Sequence, residues 1–441
     1  MKNIVFAVIA LFTFNLSAQH TISGTFTPAE DYTWLIAYRL KPGSQVYVAD
    51  TSIRNGKFTM NIPEDALPGT YRLVYAVPQK EYNFDVIYNG KENIEFEFDS
   101  DNGASYITSQ ENVLLHTYLK RLSEVEQEII EYYNTQGAKE KTFDNITQRL
   151  ISFQNNFEAK SEGLLAHHFI TSNKPYIPQK TEAVEDYVSH KKEHYFDTID
   201  FQNSVLQSSA FLTDKVANYV FTALPLGLIS KEQTEEEVIK NTVAIEKFIH
   251  NLDPDFKFHM YNDLWDYAVA YDYNKVSDYI YNSSLKALAT ETNNVEIKKT
   301  IEAHNRLRLG ALAPEIVWKK GKELKKLSDL EDAMNYVLIF WSSTCGHCLK
   351  ELPALHKELK DKTNIKVIAV GLEDDTVNWK KESSKLNGFE QAISLGKWDS
   401  EYADLYDIHA TPTYYVLDKE KRIIAKPEDD KAVIEFLEKI Y

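Results

Sequence analysis

The stretch Tyr336-Val337-Leu338-Ile339-Phe340-Trp341-Ser342-Ser343-Thr344-Cys345-Gly346-His347-Cys348 decides how the C-terminal part of this 441-residue chain folds. The apolar run from Tyr336 to Trp341 reads as a buried strand. From Cys348 to Leu359 the apolar residues return at helical spacing, and Ile365 to Val370 forms a second apolar run. Strand, helix and strand in that order are the signature of a βαβ unit, hence of a sheet with parallel strands.

In that arrangement Cys345 opens the helix, where unpaired backbone N–H groups favour a thiolate. Cys348, three residues on, shares its helical face, so a disulfide can close across one turn. His347 between them can be cationic, which stabilises the reduced form and makes the disulfide a stronger oxidant. The Gly-His pair therefore tilts the expectation towards an oxidising or isomerising protein. These are the chain's only cysteines, too few for a structural disulfide framework. A zinc site would need four ligands, with distant histidines completing the set. His167-His168 and the pair His190 and His194 are read as exposed helix faces, and no metal or cofactor is expected.

Upstream, from about Gln110 to Arg308, apolar residues recur at three-to-four spacing, as in Val113, Leu114, Tyr118, Leu122, Val125 and Ile129. Breaks at 134–138, 173–179, 224–225 and 251–254 divide this stretch into seven to nine expected helices. From His20 to about Ser100 the period is two: Phe58, Met60, Ile62; Tyr71, Leu73, Tyr75; Ile94, Phe96, Phe98. Pro42-Gly43, Asn55-Gly56, Pro68-Gly69 and Asn89-Gly90 punctuate these runs as turns. About seven short strands and a β-sandwich are expected.

The first residues read as a secretory signal: Lys2, the apolar stretch Ile4 to Leu16, and Leu16-Ser17-Ala18 for cleavage. No later stretch approaches the roughly 20 apolar residues of a membrane span. A net charge of −17 argues against nucleic acid or an anionic membrane surface as partner. The expected plan is multidomain: a signal peptide at 1–18, an all-β sandwich at 19–104, an α-helical middle at 105–308 and an α/β region at 309–441.

Together, Ala313-Pro314, Val337 to Trp341, the two cysteines, Glu351-Leu352-Pro353 and Ala410-Thr411-Pro412-Thr413 resemble the TlpA/ResA-like branch of the thioredoxin superfamily, over about Gly310 to Tyr441. The resemblance implies a thioredoxin-like fold and thiol–disulfide exchange with cysteine-containing exported proteins. A separate redox partner would reset the disulfide. By the same likeness Pro412 is a cis-proline facing the disulfide, and Thr411 offers backbone hydrogen bonds to a substrate strand. Glu351, one turn beyond Cys348, would take the Cys348 proton. Read without the likeness, Pro412 starts a strand and Glu351 is a first-turn carboxylate favoured by the helix dipole. Trp341 and Pro353 also match, as a core residue and a helix bend.

Two departures stand out. Ile339 occupies the position where many thioredoxins carry a buried aspartate, so a proton acceptor must come from elsewhere. Asp418-Lys419-Glu420-Lys421 replaces a turn in which relatives often have glycine. The N-terminal strands and helices resemble modules that precede such domains in exported proteins of Gram-negative bacteria, which implies a periplasmic location. Two competing readings remain. A thiol peroxidase would need threonine two residues before its cysteine, where this chain has Ser343. A binding or scaffold protein would use the redox domain only to report the oxidation of its compartment.

Overall fold

The computed structural model describes residues 20–135, 137 and 139–441, so the expected signal segment at 1–18 lies outside the described residues. The chain divides into two compact units, one reaching to Thr292 and the other spanning Asn293–Tyr441.

In the first unit, β1 (Thr21–Thr27), β2 (Trp34–Lys41), β3 (Ser44–Ser52), β4 (Lys57–Asn61), β5 (Gly69–Val74), β6 (Asn83–Tyr88), β7 (Ile94–Asp99) and β8 (Gly103–Tyr106) form two four-stranded sheets. Their orders are β4-β1-β7-β8, with β1 and β7 parallel, and β3-β2-β5-β6, antiparallel throughout. The period-two residues do what their spacing requires. Phe58, Met60, Ile94, Phe96 and Phe98 from one sheet meet Leu35, Ala37, Tyr71 and Leu73 from the other in one core. Asn55 and Gly56 both take positive φ, 52° and 73°, in the tight turn between β3 and β4, which explains that dipeptide.

Eleven helices follow among the described residues: α1 (Gln110–Asn134), α2 (Glu140–Ser161), α3 (Ala166–Ser172), α4 (Val184–Glu193), α5 (Ser204–Gln207), α6 (Phe211–Thr222), α7 (Lys231–Ile249), α8 (Pro254–Ala270), α9 (Asn274–Ile280), α10 (Lys286–Glu291) and α11 (Val295–Leu307). The expected breaks all fall between helices. The surplus over the expected number comes from α3 and α5, each too short for apolar periodicity to declare itself, and from α9 and α10, which a π-helical turn at Tyr281–Leu285 joins into one continuous helical run. Asn112 joins α1 to the sandwich: its side chain accepts from the Ile87 N–H and donates to the Ile87 carbonyl, both at 2.8 Å, satisfying the free edge of β6.

The second unit takes in α11, whose Leu307 enters its core and whose Arg306 Nε donates to the Leu405 carbonyl at 2.8 Å. A hairpin of β9 (Val317–Lys320) and β10 (Glu323–Lys326) leads to β11 (Asn335–Trp341), α12 (Gly346–Leu359), β12 (Ile365–Glu373), α13 (Val377–Ser383), β13 (Glu390–Leu395), α14 (Glu401–Leu405), β14 (Thr413–Leu417), β15 (Ile423–Ala425) and α15 (Asp430–Ile440). The five-stranded sheet has the order β13-β12-β11-β14-β15, with β11, β12 and β13 parallel and the last two strands antiparallel.

Strand β11 is central and buried along its whole length. Tyr336, Leu338 and Phe340 pack on one face with Tyr406 and Tyr415, while Val337, Ile339 and Trp341 pack on the other with Cys348, Leu352 and Leu355. Gly371, next to Trp341 in register, has the Trp379 indole so close that a Cβ would meet Cδ1 at 2.4 Å. The turn at Asp418–Lys421 manages without glycine. Lys421 itself adopts φ 67°, and its buried ammonium donates to the carbonyls of Leu330 and Lys419 at 2.7 and 2.8 Å over the Tyr336 ring.

Candidate active site

Cys345 ends the loop that leaves β11 and is the N-cap of α12, with φ −88° and ψ 118°. Its Sγ accepts the Cys348 N–H at 3.4 Å, so one orphan donor of the helix start is spent on the sulfur. As a thiol it also donates to the Thr411 carbonyl at 3.3 Å. Both cysteines are free.

The two sulfurs sit in opposite environments. Cys345 is half-buried, and burial pushes its thiol up; the backbone N–H groups of Cys348 and His347 outweigh that, and its pKa lies below the ordinary value. Cys348 is 0% exposed, and burial first of all pushes its thiol up to about 12. A half-exposed sulfur that favours its anion thus stands one turn from a thiol held protonated in the core.

The remaining sequence candidates fall around this pair. The Thr411–Pro412 peptide is cis, and Thr411 touches the Cys345 sulfur. His347 is exposed, and what it brings to Cys345 is its backbone N–H. Glu351 is half-buried, and its Oε2 accepts from the Tyr414 hydroxyl at 3.0 Å. Ile339 fills the core beside Cys348 as an apolar side chain. Trp341 is buried and Pro353 lies inside α12 on its exposed side. The histidine pairs of the first unit have local partners: His167 meets Ser161, His168 meets Asn203, His190 meets Glu182 and His194 meets Asp197.

Three residues escaped the sequence reading. Glu373, 3% exposed at the carboxyl end of β12, accepts the Ser343 N–H on Oε1 and the Ser342 hydroxyl on Oε2. The Ser342 carbonyl in turn accepts the Cys345 N–H at 3.1 Å, so a buried carboxylate pins the loop that carries the nucleophile. Its position at the end of the strand beside β11 was a usable signal, since sites in open α/β sheets gather at the carboxyl ends of strands. Tyr414, 1% exposed, holds Glu351 and packs with Cys348. Trp398 stands 53% exposed beside Cys345, and nothing in its spacing marks it.

The AhpC/TSA family profile matches residues 309–426. No curated protein matches the chain. Among solved structures the chain is similar to a domain of a possible thiol-disulfide isomerase from Cytophaga hutchinsonii, at 35% identity over 30% of this chain and 93% of that one, with a TM-score of 0.27. It is similar to a thiol-disulfide oxidoreductase from Bacteroides fragilis at 24% identity, over 30% of this chain and 99% of that one, with a TM-score of 0.27. A thioredoxin-like protein from Bacteroides caccae is 22% identical, over 60% of this chain and 98% of that one, with a TM-score of 0.35. With the family profile lying over the α/β unit that carries the dithiol, this chain belongs to the thioredoxin superfamily, as a protein bearing a thioredoxin-like oxidoreductase domain.

Proposed function

We propose that this protein is an exported thiol–disulfide oxidoreductase of the TlpA/ResA-like branch, acting on cysteine-containing proteins in the periplasm of a Gram-negative bacterium. The observation that carries the reading is the contrast between the two thiols: Cys345 half-exposed with its pKa lowered, Cys348 buried with its pKa raised to about 12. The first is built to attack and the second to wait.

The Cys345 thiolate attacks one sulfur of a substrate disulfide, forming a mixed disulfide and expelling the other sulfur as a thiolate. Cys348 then loses its proton and attacks the Cys345 sulfur, releasing the second substrate thiol and leaving Cys345–Cys348 oxidised. Glu351 is the candidate proton acceptor for that second step, and His347 contributes its backbone N–H to the Cys345 thiolate. Thr411 and Pro412 line the edge along which a substrate strand would lie. A separate redox partner returns the pair to its starting state, and the reverse sequence oxidises a substrate.

The peroxidase alternative has less support. Ser343, in the position where that chemistry wants threonine, has a buried hydroxyl that makes no hydrogen bond to Cys345. The test is trapping. Cys348→Ala should accumulate mixed disulfides with periplasmic proteins, visible after non-reducing electrophoresis and lost on adding dithiothreitol, whereas Cys345→Ser should accumulate none. Trapping by Cys345→Ser and not by Cys348→Ala would overturn the assignment.

A further inference from the structure

A cavity of about 110 Å³ is walled by Cys345 itself with Ser342, Thr344, Thr411, Leu372, Lys397 and Trp398. It is well below the roughly 300–1,000 Å³ of small-molecule sites, and one side chain would occupy it. Its far wall is built on purpose-shaped backbone. Gly396 and Lys397 both adopt positive φ, 106° and 47°, the Gly396 N–H donates to the Glu373 carbonyl at 2.9 Å, and Lys397 Nζ pairs with Asp374 at 2.8 Å. This strained turn hangs from the carboxyl end of β12 and carries the half-exposed Trp398, which lines the same cavity as Cys345.

We propose that Trp398 and this cavity form the specificity pocket of the exchange reaction, taking an apolar side chain next to the reacting cysteine of a protein substrate. The inference rests on the exchange reading above. A substrate sulfur bonded to Cys345 brings its neighbouring residues to this wall, because Cys345 and Thr411 are part of it. Leu372 and the Trp398 indole give the cavity its apolar wall, and the Lys397 ammonium is drawn to Asp374 at 2.8 Å. Indole faces bury apolar groups well at recognition sites.

The experiment uses the full mature chain carrying Cys348→Ala, so that attack stops at the mixed disulfide. Two short synthetic peptides, each dimerised through one central cysteine flanked by Leu or by Asp, are mixed with it, and the released peptide thiol is timed. In this step the peptide S–S bond breaks, the Cys345–peptide S–S bond forms, and one peptide leaves as thiolate.

The Leu peptide should react about tenfold faster than the Asp peptide, as expected for partial burial of one such side chain. Adding Trp398→Ala should collapse that ratio to about twofold or less, and Trp398→Phe should restore most of it. Val377→Ala, 73% exposed and away from the cavity lining, serves as the surface control and should keep the ratio. The same ratio with and without Trp398, or no preference in the parent, overturns the inference while leaving exchange intact. No release from either peptide with the parent protein would sink the exchange reading itself, and the pocket with it.

Discussion

The Sγ of Cys345 lies 3.4 Å from the backbone nitrogen of Cys348 and accepts its hydrogen, while the Cys348 side chain is shut into the core against Ile339, Leu352 and Tyr414. One helical turn therefore separates a sulfur stabilised as an anion from a sulfur denied solvent.

Alkylation should follow that asymmetry. Iodoacetamide is expected to modify Cys345 alone in the native reduced protein, with a rate that titrates below the ordinary thiol range of about 8.5. Cys348 should react only after denaturation. Mass spectrometry of peptides alkylated across a pH series checks both points, and native modification of Cys348 near neutral pH would contradict the burial argument.

The same pair makes stability depend on pH with opposite signs. The Cys345 pKa is depressed, so its contribution is present above the unfolded value of about 8.5 and is lost as pH falls through the lower folded value. The Cys348 pKa is raised, so its contribution is complete below about 8.5 and fades as pH rises towards about 12, at up to roughly 1.4 kcal/mol per pH unit. Denaturant unfolding of the reduced protein between pH 8 and 10 should show a decline that is smaller in Cys348→Ala.

Glu373 should matter for the loop. Glu373→Ala leaves the buried Ser343 N–H without an acceptor, at a cost of about 1–3 kcal/mol, and should slow mixed-disulfide formation as Cys345 loses its anchor. Glu373→Gln keeps an acceptor oxygen and should recover much of both. Thermal unfolding and trapping rates separate the two variants; equal behaviour would remove the positioning role.

Tyr414→Phe should act on the second half of the reaction. The buried hydroxyl is a donor to Glu351 at 3.0 Å, and removing it leaves that side chain without the partner that holds it. Release of the mixed disulfide should therefore slow, while its formation by Cys345 keeps its rate. Stopped-flow measurement of the two steps in Tyr414→Phe is the check.

Lys421 offers a test of backbone strain. Both Lys421→Ala and Lys421→Gly remove the ammonium from the Leu330 and Lys419 carbonyls and should destabilise the domain. The glycine variant should lose about 1 kcal/mol less, since only it relaxes the φ of 67°. Chemical unfolding midpoints of the two proteins give the difference.

Much of the site was legible because its parts are local. A Cys-x-x-Cys pair after an apolar strand states helix start, spacing and sulfur chemistry within thirteen residues of continuous chain. Glu373, Tyr414 and Trp398 went unread, because each meets the cysteines or the loop before them from another element of the domain. The strands of the sandwich were readable for the reason that period two and the turn dipeptides are properties of neighbours. The short helices α3 and α5 hold too few turns to show a period.

By itself the sequence determined the alternation of elements, the two opposed faces of β11 and the pairing of two cysteines at a helix start, since these depend on residue type and spacing along the chain. Only the tertiary structure decided which sulfur is exposed, which carboxylate holds the loop and which aromatic side chain overlooks the nucleophile. Burial and hydrogen bonding are set by residues far apart in sequence, and they alone make Cys345 and Cys348 chemically different.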